Sequence, residues 1–174
     1  MKSLKIPKTG KIGNLVKNIE KETDSSVVLE VMQNIEQFNL ASNRAEKAEW
    51  IKGVIERLEQ KVGKGKSIKI MEKCGRECCG TKHSEQTKRL MNESKSIEEF
   101  LNKINRGGVN FKLKDKNTIV GGYNKCYCSM VNQTSGPFSS KIYCYCGVGH
   151  IKLMFETSLG KPVEVELVQS VITG

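Results

Sequence analysis

The stretch Gly121–Lys161 reads GGYNKCYCSMVNQTSGPFSSKIYCYCGVGHIKLMFETSLGK and holds four of the seven cysteines. They stand as two Cys-x-Cys pairs, Cys126/Cys128 and Cys144/Cys146. In an extended strand, residues two apart point to one face. Each pair would then present two sulfurs side by side, with Tyr127 and Tyr145 facing the other way. Two such strands paired antiparallel would converge four thiols on one face. Four thiolates satisfy the ligand count of a closed zinc site or of an iron–sulfur cluster. Free cysteines packed as small hydrophobes, or a redox dithiol, are the other readings of the pattern.

Outward from this stretch, the punctuation predicts the rest. Lys125 to Val131 and Lys141 to Cys146 read as strands, with Gly121-Gly122 as a bend or bulge and a loop over Asn132 to Ser140. Gly147-Val148-Gly149 reads as a tight passage into a helix from His150 to Leu159, capped by Gly160 with Pro162 just beyond. Val163 to Leu167 alternates as a half-buried strand. Upstream, Val109 to Lys114 alternates apolar and polar residues, Asp115-Lys116-Asn117 is a turn, and Thr118-Ile119-Val120 starts the return strand.

Before Gly107-Gly108 the periodicity is helical. Residues 1 to about 14, with Pro7, Gly10 and Gly13, read as a flexible lead-in. Val27, Val28, Val31, Met32, Ile35 and Phe38 predict one helix from Asp24 to about Leu40, capped by Asp24 or Ser25. A second helix starts at Asn43, carries a stripe through Ile51, Val54, Ile55 and Leu58, and stops at Gly63 or Gly65. Ser67 to Cys79 is a third segment, Ser84 to Asn92 a short helix, and Ser96-Ile97-Glu98-Glu99 a capping box that opens another. The sum is an α+β chain: a helical N-terminal half (residues 1–106) packed on a small antiparallel sheet with a C-terminal helix (107–174), in one compact unit.

Composition sets limits on function. At 174 residues the chain can bury a core without staples, and 37% hydrophobic against 28% charged residues argues for folding. The net charge of +10 makes an acidic partner conceivable, but the lysines are scattered and aromatics are only 6%, too few for a base-stacking surface. A nucleic-acid binder is therefore the least supported class. No run is apolar enough to span a bilayer and the start lacks a signal-peptide run, so a cytoplasmic location and no membrane partner are expected. In a reducing compartment seven cysteines favour metal or redox chemistry over disulfides.

Further candidate ligands lie nearby. Cys74 and Cys78 share a helix face, Cys79 sits about 100° round, and His83 follows. Lys73 and Arg76 are expected to favour thiolates there. His150, at an expected helix start, would be held neutral and could act as a ligand or as a base for Cys146.

The order Tyr143-Cys144-Tyr145-Cys146-Gly147, then Gly149, Phe155-Glu156 and Leu159-Gly160-Lys161-Pro162-Val163-Glu164-Val165-Glu166 resembles the C-terminal part of the 4-vinyl reductase type of domain. The resemblance covers the last thirty to forty residues and implies a small-molecule sensing or accessory domain. The family's zinc position before the Gly-rich turn would fall to Cys144 or Cys146. Its ligand positions on the next strand read Leu167 and Ser170, so further ligands would come from Cys126/Cys128 or the Cys74 group. The leading expectation is a zinc-thiolate sensor of a small ligand, seated between sheet and helices, with an iron–sulfur cluster as the alternative cofactor. A thiol-dependent hydrolase or oxidoreductase is the rival. The catalytic residue is unassigned and a homodimer is left open.

Overall fold

The computed structural model describes residues 5–78 and 80–173. Seven helices and one hairpin follow in order: α1 (Gly10–Glu22), α2 (Ser25–Val31), α3 (Ile35–Leu40), α4 (Arg44–Cys78), α5 (Gly80–Asn92), α6 (Ile97–Ile104), β1 (Val109–Asp115), β2 (Thr118–Tyr123) and α7 (Tyr145–Leu159). A short 3-10 turn, Lys141–Cys144, leads into α7. The α+β class is the one expected: helices first, then a two-stranded antiparallel sheet and a C-terminal helix.

The hairpin and the caps follow the sequence closely. β1 pairs antiparallel with β2, and the one register irregularity lies by the turn between Leu113 and Asp115, not at Gly121-Gly122. Asp24 accepts from the N–H groups of Ser26 and Val27 at 2.9 and 3.2 Å, which satisfies two otherwise unpaired donors of α2. Ser96 accepts from Glu99 N, and Glu99 returns a carboxylate to Lys95 N, so α6 opens on a reciprocal cap.

Other expectations are corrected. The lead-in is a helix from Gly10: Ile12, Leu15 and Ile19 recur at helical spacing and are buried, so apolar burial outweighs the glycines. The helix expected over 24–40 breaks at Asn34, whose φ of 59° is left-handed, a region Asn tolerates better than most residues. Carbonyls near the break find donors: Arg57 Nε bonds Val31 O and Trp50 Nε1 bonds Gln33 O. The stop expected at Gly63 is a kink inside α4, with φ 74°. Beyond it the chain resumes as helix through Cys78, so Cys74 and Cys78 lie on one helix, as their spacing implied.

Three expected strands are not formed. Residues 124–140 carry no regular structure. Lys141 to Cys146 is helical, because Ser140 Oγ caps Ile142 N at 3.3 Å and the buried positions Val148, Met154, Phe155 and Ser158 extend one helical stripe. Val163–Leu167 does alternate half-buried and exposed, yet it joins no ladder.

Burial divides into two clusters. The larger packs α1, α2, α3 and α4 with Val131, Phe138, Ile142 and Ile172 from the C-terminal third, so both parts of the chain contribute to one core. The smaller joins α6, the hairpin and α7 through Phe100, Phe111 and Phe155, whose rings meet edge to face. Between them α4 and α7 cross in backbone contact. A Cβ on Gly75 would stand 1.9 Å from Cys146 O, and one on Gly149 would stand 1.9 Å from Glu72 O. Only glycine allows this approach. Ion pairs Arg76–Glu156 and Lys152–Glu72 flank it.

Candidate thiol site

The crossing decides where the sulfurs go. Because Gly75 and Gly149 let the backbones touch, Cys78 at the end of α4 meets Cys146 in the first turn of α7, and the two thiols share a hydrogen bond. Cys74 lies one turn earlier on α4, and Asn18 Nδ2 of α1 approaches its sulfur at 3.7 Å. The irregular segment after β2 brings Cys126 and Cys128 to the same end of the larger core, where Cys144 and Cys146 also pack. That segment is tied to α4 by Ser135 N on Glu49 and Ser139 Oγ on Glu56, both carboxylate contacts.

Cys128 has the most chemically distinctive surroundings. Lys11 Nζ donates to its sulfur at 3.3 Å, and Tyr143 OH stands 3.1 Å away. Burial works against the Lys11 charge, but Cys128, with Cys78 and Cys146 close by, outweighs it and raises the lysine's pKa. Burial, reinforced by Cys128, holds the Tyr143 phenol well above its ordinary value. Both groups therefore keep their protons at neutral pH and can donate to a thiolate. Burial first and then the neighbouring Cys128 and Cys144 sulfurs push the Cys126 thiol up, against the opposing backbone N–H of Cys128.

The other thiols are quieter. Burial pushes Cys74 up to about 12, against the opposing Asn18 contact. Cys146 is raised by its bond to Cys78, then by burial and the sulfurs around it. Cys144 Sγ sits 3.2 Å from Ser170 Oγ. His150 lies in the second turn of α7, not at a helix start, and its imidazole is 5.0 Å from that of His83 on α5. Its pKa is lowered by burial and then by His83, with Cys78 opposing, so it is neutral for a different reason from the one expected.

Several assignments change accordingly. Lys73 and Arg76 do not activate the Cys74 group: Lys73 pairs with Glu22 and Arg76 with Glu156. Cys79 lies outside the described residues. Cys126 and Cys128 are on a loop and Cys144 and Cys146 on helical turns, so the four do not face one another across a ladder. Among the described residues, no three Cys, His, Asp or Glu side chains are arranged to hold one ion.

The groups beside the thiols that sequence reading missed are Lys11, Asn18 and Tyr143. A helical stripe at Ile12, Leu15 and Ile19 was the available signal for the first two. Tyr143 had none beyond its place beside a cysteine. An open depression of about 600 Å³ lies over α3 and the first half of α4 near Trp50 and Arg57. No helix among the described residues is long and apolar enough to cross a membrane.

No curated protein and no solved structure matches the chain. A family profile does, over residues 7–174. The chain thus belongs to a family of unknown function, DUF6144.

Proposed function

We propose that the protein is a thiol-dependent oxidoreductase whose nucleophile is Cys128. The observation that carries this is the Lys11–Cys128–Tyr143 constellation, an ammonium and a phenol both within hydrogen-bond reach of one sulfur. A thiolate is the reactive form of cysteine, and adjacent cations and donors favour it. Cys126, two residues away in the same loop, is the resolving thiol.

The reaction balances with a disulfide substrate. Cys128 Sγ⁻ attacks one substrate sulfur, the S–S bond breaks, and the departing thiolate takes a proton from Lys11 or Tyr143. Cys126, losing its proton to solvent, then attacks Cys128 Sγ and expels the second substrate thiol. The substrate gains two electrons, and the enzyme holds a Cys126–Cys128 disulfide until a dithiol reductant restores it. The test uses oxidised glutathione with the reduced protein at pH 7. Cys126→Ser should trap a glutathione adduct on Cys128, read by peptide mass mapping, whereas the unsubstituted chain should release two glutathione thiols per turnover. An adduct confined to another cysteine refutes the assignment.

A second reading is a zinc- or iron–sulfur-holding sensor of a small ligand. It is favoured by the packing of Cys74, Cys126, Cys128, Cys144 and Cys146 against one core cluster. Elemental analysis of protein purified without chelators decides it: stoichiometric zinc or iron supports this reading, and a metal-free chain with full thiol titre removes it.

A further inference from the structure

A second feature involves none of the redox pair. Between α1, α4 and α7 lies a cavity of about 40 Å³. Its wall is unusually rich in sulfur: thiols of Cys74, Cys78 and Cys146 and thioethers of Met71 and Met130 all line it, with Lys11 at its side. Small organic ligands need roughly 300 Å³ or more. This space suits a single ion.

We infer that the cavity is a binding site for a soft monovalent cation of the Cu(I) class, held by Cys78 and Cys146. Three observations select that class. The first is donor type: thiolate and thioether sulfur favour Cu(I) over hard cations, and the cavity carries both. The second is number: no three Cys, His, Asp or Glu side chains among the described residues share one centre, which disfavours a tetrahedral ion, whereas Cu(I) accepts two thiolates in line. Cys78 and Cys146 already stand in hydrogen-bond contact, one from each of two helices fixed by backbone contact at Gly75 and Gly149. The third is charge. Binding releases both thiol protons to solvent, leaving two thiolates and one monovalent cation, a net single negative charge. Lys11, which already feels both sulfurs, supplies the compensating positive charge. Met71, buried against the core, and Met130, from the loop, provide polarizable walls that need no deprotonation.

The test is an anaerobic titration of the fully reduced chain with Cu(I) in competition with bicinchoninate, followed by the loss of the chromophoric complex. The unsubstituted protein should remove the first equivalent of Cu(I). Cys78→Ser and Cys146→Ser should each weaken that equivalent by about 100-fold, and Met130→Leu, which preserves volume, by about tenfold. Cys144→Ser, outside the cavity, should leave it unchanged. X-ray absorption should show a shell of sulfur alone. Undiminished affinity in both the Cys78 and Cys146 variants overturns the site. So does an equal loss in Cys144→Ser, a nitrogen or oxygen shell, or displacement of the first Cu(I) by equimolar Zn(II). Circular dichroism identifies a variant that fails to fold. In that case the Met130→Leu arm and the sulfur shell of the unsubstituted chain decide, and unchanged affinity in Met130→Leu then refutes the proposal.

Discussion

Replacing Gly149 by alanine tests the helix crossing on which the thiol arrangement depends. The new Cβ would sit 1.9 Å from Glu72 O and 2.7 Å from Glu72 C, both backbone atoms that cannot swing aside. Ordinary contact begins near 3.4 Å, so α4 and α7 must separate by about 1.5 Å at this point. Overpacking of a fixed interior costs about 1–3 kcal/mol, and a backbone obstacle places this case at the upper end. Alanine regains about 1 kcal/mol of helix propensity, leaving a net loss near 2 kcal/mol. For a chain of this size that lowers Tm by roughly 4–8 °C. Gly147→Ala is the internal control: it lies on the same helix with nothing within 4 Å, so only the propensity gain applies and Tm should rise by roughly 2–4 °C. Differential scanning calorimetry of the two variants reads the contrast directly. Equal melting temperatures, or a more stable Gly149→Ala chain, would refute the claim that these backbones touch.

Other outcomes follow from the site and its supports. Lys11→Met should slow iodoacetamide labelling of Cys128 near neutral pH by about tenfold, measured by mass mapping of quenched time points, because the cation beside the sulfur is lost. Glu22 is held down to about 2, from an ordinary 4.5, by hydrogen bonds from Lys73 and then Lys69. A depressed carboxylate stabilises fully above its unfolded value. This contribution should therefore be intact above pH 4.5 and vanish as pH falls toward 2, and urea titrations of Glu22→Gln across that window should lack this part of the slope. Cys74, raised to about 12, runs the opposite way: the stability of its neutral buried thiol is full below 9.0 and lost as pH climbs toward 12, and Cys74→Ala should flatten that alkaline limb. Ser96→Ala should cost about 1 kcal/mol through the lost cap of α6, seen in the urea midpoint.

The sequence made the parts with local causes legible. The Asp24 and Ser96 caps, the strand from Val109 with its turn, and the Gly160 stop each depend on a few neighbouring residues, and each is found where it was read. What misled was short periodicity. Six residues from Lys141 to Cys146 alternate as well as any strand, and only the stripe continuing through Phe155 identifies them as the start of a helix. Lys11 was hidden because Gly10 and Gly13 suggested a loose end, although Ile12, Leu15 and Ile19 bury a helical face there. The sulfur gathering was half legible. Which cysteines sit close in sequence was plain, but which meet in space depends on the absent side chains of Gly75 and Gly149, and a glycine does not announce what it lets through.

The bend at Gly63 gives α4 two arms with different duties. The earlier arm grips the loop that carries Cys126 and Cys128, through Glu49 and Glu56; the later arm bears Cys74 and Cys78. The φ of 74° at Gly63 sets the angle between the arms, and with it where the α4 sulfurs stand relative to the loop that the earlier arm holds. Part of the placement of Cys74 and Cys78 thus rests on a glycine well away in sequence from any cysteine.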